Sequence, residues 1–182
     1  MQPRIPSVTL LSVLFVLPAQ AAQTDVSVSK SGGLYLVQAT SAVAADRVTV
    51  WQVLTDYAGY RAFVPDLKLS RLIGDVPRRV EQKGEFGILF FAREVSATLE
   101  IEEYPPSRIL FRAIAGDLRR LDTEVTIEDE GARRVVRYRS SIEPDFWVPP
   151  LIGTSLVRLS IRRKLQAVAE EMERRADLAG KK

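Results

Sequence analysis

Between Val50 and Pro65 the chain gathers the groups best suited to chemistry: the carboxyl of Asp56, the phenols of Tyr57 and Tyr60, and the rings of Trp51 and Phe63. In a dry pocket a carboxyl can serve as a general acid or base. A tyrosine at the lip of a cavity offers an apolar ring and one hydroxyl, which suits a ligand with a polar head. The wider inventory narrows the chemistry. The 182 residues include no His and no Cys, which removes Ser-His and Cys-His nucleophiles, most transition-metal sites and any disulfide framework. No metal and no cofactor is implied, no catalytic residue stands out, and a binding role is expected ahead of an enzymatic one. Asp56 itself lies where a carboxylate ordinarily caps the amides of a following helix, and that is its expected role.

These residues need elements to hold them. Val50, Trp51, Val53 and Leu54 recur at helical spacing, Thr55-Asp56 interrupts them, and three aromatics follow before Pro65 halts any further helix. Two short helices are therefore expected, with Asp46 as the N-cap of the first. Helices this short are unstable alone and need a broad apolar surface to lie on.

That surface is predicted to be a sheet. Tyr35, Val37 and Ala39 alternate with Leu34, Leu36 and Gln38; Ala97, Leu99 and Ile101 with Thr98, Glu100 and Glu102; Ile109 and Phe111 with Leu110 and Arg112; Leu121, Thr123, Val125 and Ile127 with acidic and hydroxyl residues. Such alternation marks antiparallel strands with one covered face. Turn chemistry stands at Tyr104-Pro105-Pro106-Ser107, at Gly116-Asp117 and at Glu128 to Gly131. A regular hairpin at the last turn would set Glu124 opposite Arg137 and Asp122 opposite Arg139, making the basic run 133–139 a row of cross-strand ion pairs. The apolar run from Glu85 to Phe91 does not alternate cleanly. It reads either as two strands joined by a bend or as a loop whose aromatics cover a cavity entrance.

After Pro144-Asp145-Phe146-Trp147-Val148-Pro149-Pro150 a long helix is predicted from Leu151 to about Ala176. Val157, Ile161, Leu165, Val168 and Met172 form its stripe. Leu151, Ile152, Leu156 and Leu159 spread apolar surface around its start, which is expected to be more fully buried or to face an apolar space. Phe146 and Trp147 have two readings: a gate or membrane-touching tip, or a hydrophobic staple for the helix. The tail from Arg174-Arg175 onward is expected to be solvated.

Residues 1–21 read as a cleavable secretory leader: Arg4, the apolar run Val8 to Leu17, too short to span a bilayer comfortably, then Pro18-Ala19-Gln20-Ala21. Residues 22–33 are an extension or edge strand, 34–178 the domain, and 179–182 a basic tail. A periplasmic or secreted location follows from the leader. The net charge is +3, and +2 without Arg4, weak for a nucleic-acid partner, and none is expected.

Val50-Trp51-x-Val53-Leu54-Thr55-Asp56-Tyr57 followed by Phe63-Val64-Pro65 resembles the opening signature of the polyketide cyclase/dehydrase and START-like superfamily (SRPBCC), in the branch of the coenzyme Q-binding proteins. Ala115-Gly116-Asp117-Leu118 and Trp147-x-Pro149 before a basic, leucine-rich helix resemble that branch as well. Asp122 and Glu124 stand where many relatives carry a Gly and a Trp. The resemblance implies an α+β helix-grip fold: a curved antiparallel sheet, two short helices and one long C-terminal helix, with an apolar molecule held between helix and sheet. On that fold the expected ligand-binding residues are Trp51, Tyr57, Tyr60, Phe63, Leu99, Phe111, Val125, Tyr138, Phe146, Trp147 and Leu156. Three functions are compatible with it. One is an exported carrier of a lipid, isoprenoid quinone or similar molecule, with possible peripheral membrane contact. The second is a cyclase or aromatase using Asp56, Tyr57 or Tyr60. The third is an interaction module with a filled cavity, whose Arg158, Arg162, Arg163 and Lys164 face a partner or an anionic membrane.

Overall fold

Alternation of apolar and polar residues through most of the chain yields eight antiparallel strands. The computed structural model describes residues 22–87 and 92–181. Strands β1 (Gln23–Ser31) and β2 (Leu34–Val43) precede helix α1 (Arg47–Thr55) and a single 3-10 turn (Gly59–Ala62). Then come β3 (Leu67–Asp75), β4 (Arg78–Phe86), β5 (Arg93–Tyr104), β6 (Arg108–Gly116), β7 (Leu118–Glu130), β8 (Arg133–Pro144) and helix α2 (Gly153–Ala179). They form one sheet in the order β1-β2-β8-β7-β6-β5-β4-β3, so residues 22–33 supply an edge strand. The expected leader, 1–21, and the end of the aromatic run, 88–91, lie outside the described residues. No described helix is long and apolar enough to cross a membrane.

The turn between β7 and β8 falls one residue later than a regular hairpin centred on Glu130-Gly131 would place it. Glu130 pairs with Arg133, so Glu124 lies opposite Arg139 and Thr126 opposite Arg137. The expected register is thus displaced by two, because Gly131, at φ 60°, takes the left-handed position of the turn, which glycine occupies without a Cβ penalty. The basic run is still consumed by ion pairs. Arg137 reaches Glu128 and Glu130 at 2.8 and 3.0 Å, and Arg134 reaches Asp129 at 2.8 Å. Asp122 pairs with Arg112 and Glu124 with Arg108 on the outer face. A trough of about 390 Å³ on that face is lined by these ion-paired side chains, a solvated surface rather than a ligand site.

At the β6–β7 corner Gly116 has φ 109° and lies against the Ser96 carbonyl so closely that a Cβ would collide with it. Asp117 then accepts bonds from the Ser96 amide at 2.7 Å and the Ser96 hydroxyl at 2.8 Å. Those bonds hold its carboxyl below the usual range.

Two apolar clusters join helices to sheet. The first packs Val50, Val53, Leu54 and Tyr57 with Ile101, Ile109, Val125, Ile127, Ala169 and Met172. The second packs Tyr35, Val37 and Ile142 under Val157 at the start of α2. Each fully buried side chain of the Ile or Met kind stabilises by about 2 kcal/mol, which is why α1, nine residues long, persists. Its N-terminus is capped as expected: Asp46 accepts from the Thr49 amide at 2.9 Å. The beginning of α2 departs from expectation. Leu156 and Val157 are buried, but Leu151, Ile152 and Leu159 are exposed, because α2 packs on the sheet by one face and these three side chains lie off it.

Candidate functional site

Between the two clusters the helix and the concave sheet do not meet. An inner lobe of about 240 Å³ is walled by Leu54, Tyr60, Val64, Phe111, Val125, Tyr138, Leu165 and Val168. An outer lobe of about 180 Å³ runs past Val95, Leu118, Ile142 and Val157 towards Phe86 and Phe146. The lobes share Leu67, Gln82, Leu99, Leu121, Ile161 and Lys164. Strand alternation directs Leu99, Phe111, Val125 and Tyr138 inward, and the i, i+4, i+7, i+8 spacing of α2 sends Val157, Ile161, Lys164 and Leu165 to meet them.

Of the residues expected to contact ligand, the structure brings six to this space: Tyr60, Leu99, Phe111, Val125 and Tyr138 to the inner lobe, with Leu99 also in the outer, and Phe146 to the outer. The other five lie elsewhere. Trp51 and Phe63 pack against the first apolar cluster, Phe63 with the Arg175 guanidinium 5.7 Å from its ring. Leu156 is buried at the start of α2. Trp147 is 68% exposed beside a small hollow formed with Phe86, Arg93, Phe146 and Val148. Tyr57 is not at the lip but in the core, 2% exposed. Its hydroxyl donates to Glu103 at 2.8 Å, and Glu103 is in turn held by Arg78 at 2.6 Å. Burial, and then the Glu103 carboxylate, push the Tyr57 phenol far up.

The polar groups on the walls are mostly committed to one another. Tyr60 donates to the Leu54 carbonyl at 2.6 Å, and burial raises its phenol's pKa. Thr123 and Ser140 share a hydrogen bond of 2.7 Å beneath Tyr138, and burial raises that phenol too. Gln82 donates to Ser70 at 3.2 Å. Glu85, at the rim of the outer lobe, is paired with Lys68 at 2.7 Å.

Asp56 stands outside the cavity. It accepts from the Gly59 amide at 3.1 Å, the capping role expected of it, and from Arg175 at 2.7 Å. Arg174 and Arg175 were expected in a solvated tail; instead α2 extends three residues beyond the predicted end, and both clamp Glu171, at 2.6 and 2.7 Å. Glu171 is only 7% exposed, and its hydrogen bonds to Arg174, then Arg175, draw its pKa down to about 2.

Lys164 is the lining residue that sequence reasoning misplaced. The run of like charges groups it with Arg158, Arg162 and Arg163 as a basic face towards a partner or membrane. Position 164, however, is three residues after Ile161 and four before Val168, which puts it on the inner stripe. The signal was present in the spacing and was masked by the run of like charges. Among the described residues no group of carboxylates is placed to hold a metal ion.

The fold has many counterparts of known structure. The Zhui aromatase/cyclase from Streptomyces sp. R1128 superposes with a TM-score of 0.65 at 19% identity, covering 81% of this chain and 98% of that one. A STAR-related lipid transfer protein from Xanthomonas axonopodis gives a TM-score of 0.65 at 15% identity over 85% and 94% of the two chains. A START superfamily protein from Mycobacterium smegmatis gives 0.61 at 18% over 79% and 98%. At these identities the likeness is one of fold. No curated protein sequence matches. Residues 43–172 match the family model described as polyketide cyclase/dehydrase and lipid transport; with the curved eight-stranded sheet gripping α2, this places the chain in that START-like family.

Proposed function

We propose that this protein is an exported, non-enzymatic carrier that shelters one apolar molecule, a lipid, isoprenoid quinone or similar compound, between α2 and the concave sheet. The observation that carries the reading is the pair of joined lobes, whose walls are apolar side chains with a few polar groups already bonded to one another. Concave, mostly apolar spaces of this kind are the usual sites of small-molecule binding. The family's description and the lipid transfer protein among the similar structures support an apolar cargo. Export rests on the leader-like residues 1–21.

The cyclase reading loses two of its three candidate groups. Asp56 caps a turn and pairs with Arg175 away from the lobes, and the Tyr57 hydroxyl is bound to Glu103 in the core. An unfilled space between helix and sheet also weighs against an interaction module packed with its own side chains. Around the start of α2, Trp147, Leu151, Ile152 and Leu159 are exposed, as are Arg158 and Arg162 close by in sequence, a composition suited to resting on an anionic bilayer from which cargo is drawn.

Native mass spectrometry of the mature protein purified from its own cell envelope, followed by organic extraction, tests the proposal. A stoichiometric apolar adduct is the expected result. A bare mass in every gentle preparation would overturn it. Sedimentation with phosphatidylglycerol vesicles tests this surface: Leu151→Asp should abolish co-sedimentation, and equal sedimentation of both proteins would rule that contact out.

A further inference from the structure

Among the described residues Lys164 is the one charged side chain that borders both lobes. It is half-buried, and no carboxylate among the described residues comes within ion-pair distance of it. The nearby Asp66 is engaged by Arg163 at 3.3 Å. Burial draws the Lys164 ammonium's pKa down and Arg163 adds to that, while Asp66 opposes them. Other polar groups of the lining have partners: Tyr60 with Leu54, Thr123 with Ser140, Gln82 with Ser70, and Glu85 with Lys68. A cation facing an apolar space without a counter-charge is costly to the empty protein. The same arrangement favours an anion delivered by the ligand, since a charge-assisted hydrogen bond in a low-dielectric space is the strong kind.

We propose, on the reading of this space as a carrier site, that the cargo is a single-chain amphiphile with a carboxylate head, held by Lys164 at the junction of the lobes with its tail in the inner lobe. The geometry assigns the two ends. The inner lobe beyond Lys164 is walled by Leu54, Val64, Phe111, Val125 and Val168, and its Tyr60 and Thr123 hydroxyls are already bonded to Leu54 and Ser140. The outer lobe extends from Lys164 to Phe86 and Phe146, whose rings lie 5.9 Å apart. A chain entering tail first therefore comes to rest with its carboxylate beside the ammonium. Lys164 acts here as a selectivity residue: a neutral ester, alcohol or quinone of the same length would leave the ammonium unpaired.

The test is fluorescence titration of the mature protein with cis-parinaric acid and with its methyl ester, alongside Lys164→Met. Wild type is expected to bind the acid roughly tenfold or more tightly than the ester. Lys164→Met is expected to erase that preference by weakening the acid alone, while its melting temperature stays equal or rises. Equal affinity of wild type for acid and ester, or a preference that survives in Lys164→Met, would overturn the carboxylate assignment and leave the apolar-carrier reading standing. Failure of wild type to bind either probe, together with a bare mass for the purified protein, would overturn both.

Discussion

Arg175, near the end of α2, reaches across to Asp56 at the close of α1 with a 2.7 Å contact, so the longest helix is tied by charge to the segment that first suggested chemistry. The same Arg175 bonds Glu171 at 2.7 Å, and Glu171 also holds Arg174. Asp56 therefore belongs to a clamp between helices, not to the cavity.

Asp56→Asn should accordingly lower stability by about 1–2 kcal/mol, through loss of the Arg175 pair and a weaker cap on Gly59. Cargo affinity should change by less than about twofold, which is within ~0.4 kcal/mol. Urea unfolding and ligand titration on the same preparation check this. A large loss of affinity at unchanged stability would return Asp56 to the site.

Glu171 gives the clamp a pH signature. Its pKa lies at about 2 in the folded protein against an ordinary value of 4.5. A depressed carboxyl contributes stability that is present above its unfolded value and lost as pH falls through the folded one. Stability should thus hold above about pH 5 and decline between there and about pH 2, with Glu171 accounting for on the order of 2 kcal/mol after allowance for the exposed Arg174. Thermal melts of wild type and Glu171→Gln across that range should converge at the acid end.

Tyr35 offers a test of packing under the first turn of α2. It is 1% exposed, yet its hydroxyl has no hydrogen-bond partner among the described residues. A Cβ on Gly153 would sit 2.6 Å from that hydroxyl and 2.9 Å from Val148. Tyr35→Phe should be neutral or stabilising by up to about 1 kcal/mol, because a buried orphan hydroxyl costs more than its absence. Gly153→Ala should destabilise by about 1–3 kcal/mol. The double variant should lose less than the sum, since one of the two clashes is gone; strict additivity in a double-mutant cycle would refute the contact.

Leu99 borders both lobes. Leu99→Trp should fill space that is already void, leave the melting temperature within about 5 °C, and reduce bound apolar cargo by tenfold or more. Extraction and native mass measurement of the variant decide this. Undiminished cargo would place the ligand elsewhere.

Much of this was legible in the chain. The alternation at Ala97 to Ile101 and Ile109 to Phe111 identified inward faces correctly because a period of two leaves no freedom once one face is covered. The Asp46 cap and the Asp56 cap were readable because capping is local. What sequence did not convey was where non-local partners fall. Tyr57 reads as a lip residue until Glu103, forty-six positions on, claims its hydroxyl. Arg174 and Arg175 read as a tail until Glu171 and Asp56 are seen beside them. The hairpin register hinged on which residue near Gly131 would occupy the left-handed position, a choice that composition alone leaves open. Lys164 was hidden by its neighbours' charge, although its spacing from Ile161 and Val168 already set its direction.

The seam between β6 and β7 bears on the width of the space between helix and sheet. These strands pair only from Arg108 to Arg112, against Asp122 to Thr126, the shortest ladder in the sheet, and diverge beyond it. On one side of the seam β1, β2, β8 and β7 form a unit, with α2 packed on β1 and β2. On the other side β3 to β6 join that unit through those few backbone bonds, the Ile127 amide on the Ser107 carbonyl, the corner at Gly116 and the apolar cluster under α1. The sheet is thus two plates joined along a narrow strip, with Leu99 and Phe111 on one plate and Val125 and Tyr138 on the other. The width of the space between them therefore depends on the angle at which the two plates meet along that strip.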